Sequence, residues 1–282
     1  MSYKIIGDSC LDLTAELKRD IRFQTVPLTL QVDDTVVIDD ETFDQKRFLK
    51  LVKESPNCPK TACPSPEAFK KAYECEEEDV YVITLSSHLS GTYNSALLGK
   101  SLYEEEHGPK NILIIDSESA SSGELNLALM IGDLYAAGRN FAEISQQIEK
   151  LRDEQRTFFI LDSLEPLRKN GRLTGLQAFF ATALNIKPVM GADHGVIVKL
   201  DQARGLAKAY GRMCDIAVKE MAAAGNISDM RAVIAHCNCP ERAEQVKKEL
   251  MKRAQFREIV FTETAGVATV YAGDGGVILA IR

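Results

Sequence analysis

The chain has 282 residues, enough for two domains, and 45% hydrophobic with 27% charged side chains is the balance of a soluble globular protein. A net charge of −7 argues against nucleic acid as the main partner, and no apolar stretch is long enough to span a bilayer. Seven cysteines, an odd number without framework spacing, read as reduced thiols; the start, MSYKIIGDSC, carries no secretory pattern, so a cytoplasmic location is the expectation.

In chain order, Tyr3–Ile6 reads as a strand ending in Gly7-Asp8-Ser9, and a short amphipathic segment follows from Asp12 to Leu17. Thr25–Val32 is β-rich, and Val36–Ile38 after Asp33-Asp34 is the return leg of a hairpin. Phe43, Phe48, Leu49 and Val52 fit a helix. Ser65 then caps a second helix with Pro66 at its first position, and Thr61 lies upstream in an extended stretch held by prolines. Val80–Leu85 is a buried strand that feeds, through Ser86, Ser87, His88, Ser90 and Gly91, a helix opening at Thr92. Such a junction leaves backbone N–H groups facing an anionic head group, phosphate or carboxylate. Taken alone, the serines read first as helix caps.

Asn111–Ile115 is another strand ending in polar residues, Gly123 opens a long helix to Ala137, and Phe141–Leu151 is one more helix. Alternating strands and helices, with Asp or Ser at several strand ends, predict a parallel sheet with ligands gathered at its carboxyl edge. Beyond it, Thr157–Leu161 reads as a strand, Leu164–Lys169 as a helical turn and Leu176–Leu184 as an apolar helix. Lys187–Met190 and Val196–Leu200 form an antiparallel pair, and a helix covers about Gln202–Ala223. Ala232–His236, Ile259–Thr262 and Val277–Ile281 are strands, Glu241–Arg253 is a helix, and Tyr271–Gly276 is a loop before the last strand. The fold class expected is α/β in two lobes: residues 1–156 with a parallel sheet, residues 157–282 with a mixed or antiparallel sheet, and the ligand in the cleft between them.

Catalytic signatures are weak. No G-x-S-x-G elbow is present, and His88, two residues before Ser90, is poorly placed as its base. His236-Cys237-Asn238-Cys239 lacks metal or redox spacing and reads as the approach to a helix. Gly273-Asp274-Gly275-Gly276 lacks the Lys-Ser/Thr of a P-loop and reads as a turn. In Arg168-Lys169-Asn170-Gly171-Arg172 the helix end accounts for the first two cations, whereas Arg172, past the glycine, is open to an anion or a partner protein.

Together these segments resemble the DegV family of fatty-acid-binding proteins over nearly the whole chain. The resemblance is carried by Asp8-Ser9-Cys10-Leu11-Asp12-Leu13, Thr61-Ala62-Cys63-Pro64-Ser65-Pro66, Leu85 to Tyr93, Leu164 to Arg172, and Leu184-Asn185-Ile186-Lys187-Pro188. It implies a long-chain fatty acid buried between the lobes and no cofactor. It further implies a non-catalytic subunit that presents the carboxylate to a separate ATP-dependent fatty acid kinase, whose acyl phosphate feeds bacterial phospholipid synthesis. The family's carboxylate-binding threonine falls on Thr61 and its serine on Ser90, beside Gly91; arginines linked to the kinase-facing surface fall on Arg172 and Arg204. Where many members carry His-Thr-Gly-Pro-Gly before the last strand, this chain has Tyr271-Ala272-Gly273-Asp274-Gly275, so a phenol replaces the histidine near the carboxylate. A stand-alone Ser-dependent hydrolase or phosphotransferase is the alternative reading, and a lipid-responsive interaction module without kinase coupling is the third.

Overall fold

The computed structural model describes residues 2–173 and 185–282. The helix expected at Leu176–Leu184, and Leu184 of the last motif, lie outside the described residues.

The described residues form an α/β structure of two domains with three sheets. β1 (Tyr3–Asp8), β2 (Phe23–Val26), β6 (Asp79–Thr84) and β7 (Asn111–Asp116) make a parallel sheet in the order β2-β1-β6-β7. β6 is buried along its whole length, as its unbroken apolar run requires of a central parallel strand. β3 (Thr29–Val32), β4 (Thr35–Ile38) and β5 (Lys60–Ala62) form a small antiparallel sheet in the order β4-β3-β5. The stretch expected as one strand over Thr25–Val32 is therefore two strands in different sheets. Pro27 interrupts it because it has no N–H to give a ladder.

The third sheet has six strands: β8 (Arg156–Ile160), β9 (Ile186–Asp193), β10 (Val196–Arg204), β11 (Arg231–His236), β12 (Glu258–Glu263) and β13 (Val277–Ile281), in the order β10-β9-β8-β13-β11-β12. Only the β11–β12 pair is parallel, so the sheet is mixed. β10 continues to Arg204, through residues expected to start a helix. Gly205, at φ 81°, makes the turn that a side chain would strain.

α1 (Gln45–Glu54), α2 (Pro66–Tyr73) and α3 (Thr92–His107) belong to the first half. Ser65 caps α2 as expected, its hydroxyl accepting from the Ala68 N–H at 3.2 Å. α2 and α3 pack closely because Gly99 has no side chain; a Cβ there would sit 2.7 Å from the Pro66 carbonyl oxygen. α4 (Ser122–Ala136) is buried nearly all round, with α5 (Phe141–Glu154) beside it. The cluster of Leu125, Leu127 and Ile131 takes in Ile83 of the parallel sheet and Val233 of the mixed one, so α4 cements the two. Buried Arg231 reinforces this by pairing with Asp133 of α4 at 2.9 Å and Glu258 at 2.7 Å. α6 (Glu165–Lys169), α7 (Leu206–Ala224), α8 (Pro240–Met251) and α9 (Gly266–Ala272) complete the described chain. α9 is a correction to the sequence reading, which placed Tyr271 in a loop: Tyr271 stands on the last turn of a short helix.

Candidate functional site

Where the sheets face each other they enclose a cavity that opens to the surface at one end. Strand alternation sends Thr157 and Phe159 of β8, and Leu161 just beyond it, to one wall. α9 supplies Val267, Ala268, Tyr271 and Ala272, two adjacent pairs one helical turn apart. Cys10, Leu85 and Leu89 come from loops at the carboxyl edge of the parallel sheet, and the β9–β10 hairpin closes the wall with Ala192, Gly195 and Ile197. The surface is predominantly apolar.

One end is polar. Thr61, the middle residue of β5, and Tyr271 meet hydroxyl to hydroxyl at 2.9 Å. Both are half-buried, so they mark where the cavity reaches the surface. Ser90 lines the same cavity; its hydroxyl lies 2.8 Å from the Thr92 hydroxyl and accepts from the Thr92 N–H at 3.3 Å. Gly91 is exposed and caps α3 without lining the cavity. Arg172 does line it: its guanidinium carbon lies 5.9 Å from the Tyr271 ring centre, and Nε donates to the Leu89 carbonyl at 3.0 Å. A second donation goes to the Asn170 carbonyl. Arg204, at the end of β10, is exposed and lies outside this cavity. Four of the six nominated residues thus converge on one place.

Hydroxyl, phenol and guanidinium donors beside an apolar chamber suit a molecule with an acid head and a hydrocarbon body. None of the four histidines lines the cavity; the Ser90 hydroxyl is bonded to Thr92, and the helix cap expected of the serines falls instead on Gly91, with no side-chain cap bond. Asp8 and Asp12 are buried behind Cys10, where desolvation raises their carboxyls to about 7 and about 8 respectively. Among the described residues, Asp8, Cys10 and Glu124 are the group whose atoms come close enough to hold a metal ion, within 4.8 Å of one another. Sequence reasoning missed Glu124. Its signal was an acid in the first turn of a largely apolar helix.

The family model described as an uncharacterised protein of the DegV family matches residues 2–282. The chain belongs to the DegV family. A DegV domain-containing protein of Streptococcus pyogenes serotype M18 is 34% identical to it over 283 aligned residues, 99% of each chain. The crystal structure of a DegV family protein from Ruminococcus gnavus, refined with vaccenic acid, is 46% identical and superposes with a TM-score of 0.96 over 99% of both chains. The Streptococcus pneumoniae Fatty Acid Kinase (Fak) B3 protein, loaded with linoleic acid, is 30% identical with a TM-score of 0.86, again over 99% of both.

In this DegV chain the loops after β1 and β6 and the end of α6 position the cavity wall. The Asp8 carboxylate accepts from the Cys10 N–H at 2.9 Å and the Leu85 N–H at 2.8 Å, tying β1 to the loop that carries Ser90. The Ser9 hydroxyl accepts from the Leu28 N–H at 3.0 Å. Asn170 donates to the Pro59 carbonyl at 3.0 Å and so seats β5, with Thr61, against α6.

Proposed function

We propose that this protein binds one long-chain fatty acid, with the acyl chain in the cavity between lobes 1–156 and 157–282 and the carboxylate at Thr61, Ser90 and Tyr271. The observation that carries this reading is the hydrogen-bonded Thr61–Tyr271 pair at the exposed end of an apolar chamber. Burying hydrocarbon gains about 0.8 kcal/mol per CH₂, on the order of 10 kcal/mol for a long chain before ordering costs. That gain survives only if the acid group keeps hydrogen bonds, since an unpaired buried charge costs several kcal/mol. The hydroxyl donors and the nearby Arg172, all of which line the cavity, meet that need. Relatives crystallised with vaccenic and linoleic acids support the ligand class.

The protein acts as the binding subunit for a separate ATP-dependent kinase, which transfers a phosphoryl group to the exposed carboxylate and releases ADP and the acyl phosphate. The resemblance to the Fak B3 protein supports this partner. Arg204, exposed on the surface, serves as a docking contact, and Arg172 contributes from the rim. Seven unpaired cysteines fit a reducing, cytoplasmic setting. The test uses delipidated protein titrated with oleate or palmitate, wild type against the Thr61→Ala/Ser90→Ala double variant. Binding by the wild type and at least tenfold weaker binding by the variant support the reading; no uptake by the wild type overturns it.

A further inference from the structure

Behind the cavity wall, Asp8, Cys10 and Glu124 meet in a space sealed from solvent. Glu124 is 0% exposed, and neither carboxyl oxygen is met by a hydrogen-bond donor in good geometry. Asp8, by contrast, has a backbone N–H on each oxygen, from Cys10 and from Leu85. The groups around the pair are mostly further acids. From the loop after β1 come the Cys10 thiol and Asp12, the latter held by the Ser121 hydroxyl at 2.5 Å and the Ala265 N–H at 2.6 Å. From the end of β4 comes Asp39, held by the Gly266 and Val267 N–H groups. Lys18 is the cation that acts on Asp12 and Asp39, and its side chain is exposed.

We propose that Glu124 and Asp8 share one proton, Glu124 standing as the neutral acid that donates to the Asp8 carboxylate, and that this buried pair makes the cavity floor yield at alkaline pH. Two carboxylates side by side and away from water do not both ionise. A proton needs no further ligand and uses Glu124 oxygens that only the Cys10 thiol and the Ser121 N–H approach, neither in good geometry. A divalent cation suits the site less, because both Asp8 oxygens are already engaged by backbone N–H groups. Burial first, then the Asp8 charge, raises Glu124 well above the usual carboxyl range. A carboxyl raised on folding gives its full stability below the unfolded value, and that stability is lost as pH climbs through the folded one. Ionised Glu124 then repels Asp8 and pushes the first turn of α4 from β1, beneath Cys10 and Ser121, both of which line the cavity. The extension to lipid retention rests on the fatty-acid reading above; the shared proton does not.

The experiment compares wild type with Glu124→Gln, which keeps an N–H donor for Asp8 but does not ionise, from about pH 5 to about pH 10. The wild-type Tm is expected to fall with rising pH relative to the variant, by on the order of 5 °C. The infrared band of protonated carboxyl at neutral pH should lose one group in the variant. Superimposable melting profiles overturn the proposal. So does a stoichiometric metal whose chelation lowers the wild-type Tm only. If the variant fails to fold, the wild type decides, since absence of any protonated-carboxyl band at neutral pH rejects the shared proton. Lipid retention followed over the same range separates the readings: a protein that binds no fatty acid at any pH, yet shows the band and the melting difference, refutes the lipid reading and leaves the proton pair standing.

Discussion

Thr61 and Tyr271 are 210 residues apart in sequence, and their contact is the narrowest statement of what this site does. Each hydroxyl donates one hydrogen bond; an arriving carboxylate takes both, and the hydroxyls give up their bond to each other. A hydrogen bond to a charged acceptor contributes about 1.5–3 kcal/mol. Tyr271→Phe, which keeps the ring, is therefore expected to weaken fatty-acid binding tenfold or more with little change in Tm, as measured by titration and melting of the same samples. Arg172 plays a different part, since its Nε braces the Leu89 carbonyl beside Ser90. Arg172→Ala should release bound lipid faster in a stopped-flow displacement assay. Arg172→Lys should not restore the wild-type rate, because an ammonium lacks the planar fork that reaches two carbonyls at once.

At the scale of the element, α9 decides whether Tyr271 is in place. The helix is short and begins deep in the protein, where its first N–H groups need acceptors. Asp39, 227 residues earlier, accepts from Gly266 at 2.6 Å and, with its other oxygen, from Val267 at 2.8 Å. Asp39→Ala is expected to destabilise the protein by about 1–3 kcal/mol in urea unfolding and to weaken lipid binding by letting Tyr271 drift from Thr61. This element also shows where sequence reading stops. The α2 start was legible because Ser65 and Pro66 are local signals, and β6 because a long apolar run has one common use in an alternating α/β pattern. α9 was not, because it is too short to show a period and its caps are remote carboxylates. The same limit hid Glu124, whose meaning depends on Asp8 across the fold. Resemblance supplied Thr61, Ser90, Tyr271 and Arg172 as candidates. That they converge on one cavity was visible only in three dimensions.

Across the whole molecule, the buried acids between the sheets set the response to pH. Asp8 and Asp12 are raised by desolvation to about 7 and about 8, so the folded state binds more protons than the unfolded one above the ordinary carboxyl range. Stability therefore falls as pH rises through these values, and wild-type Tm is expected to be lower at about pH 9 than at about pH 6. A ligand that binds only the folded state adds about 2.7 kcal/mol at a hundred times its Kd, so fatty acid is expected to raise the Tm at both pH values. The cavity itself is best tested by native mass spectrometry of the protein purified from a bacterial host and then treated to remove lipid. The account predicts one long-chain fatty acid per chain as purified, and one regained when oleate is added back. A protein that carries no acyl species and takes up none would contradict it.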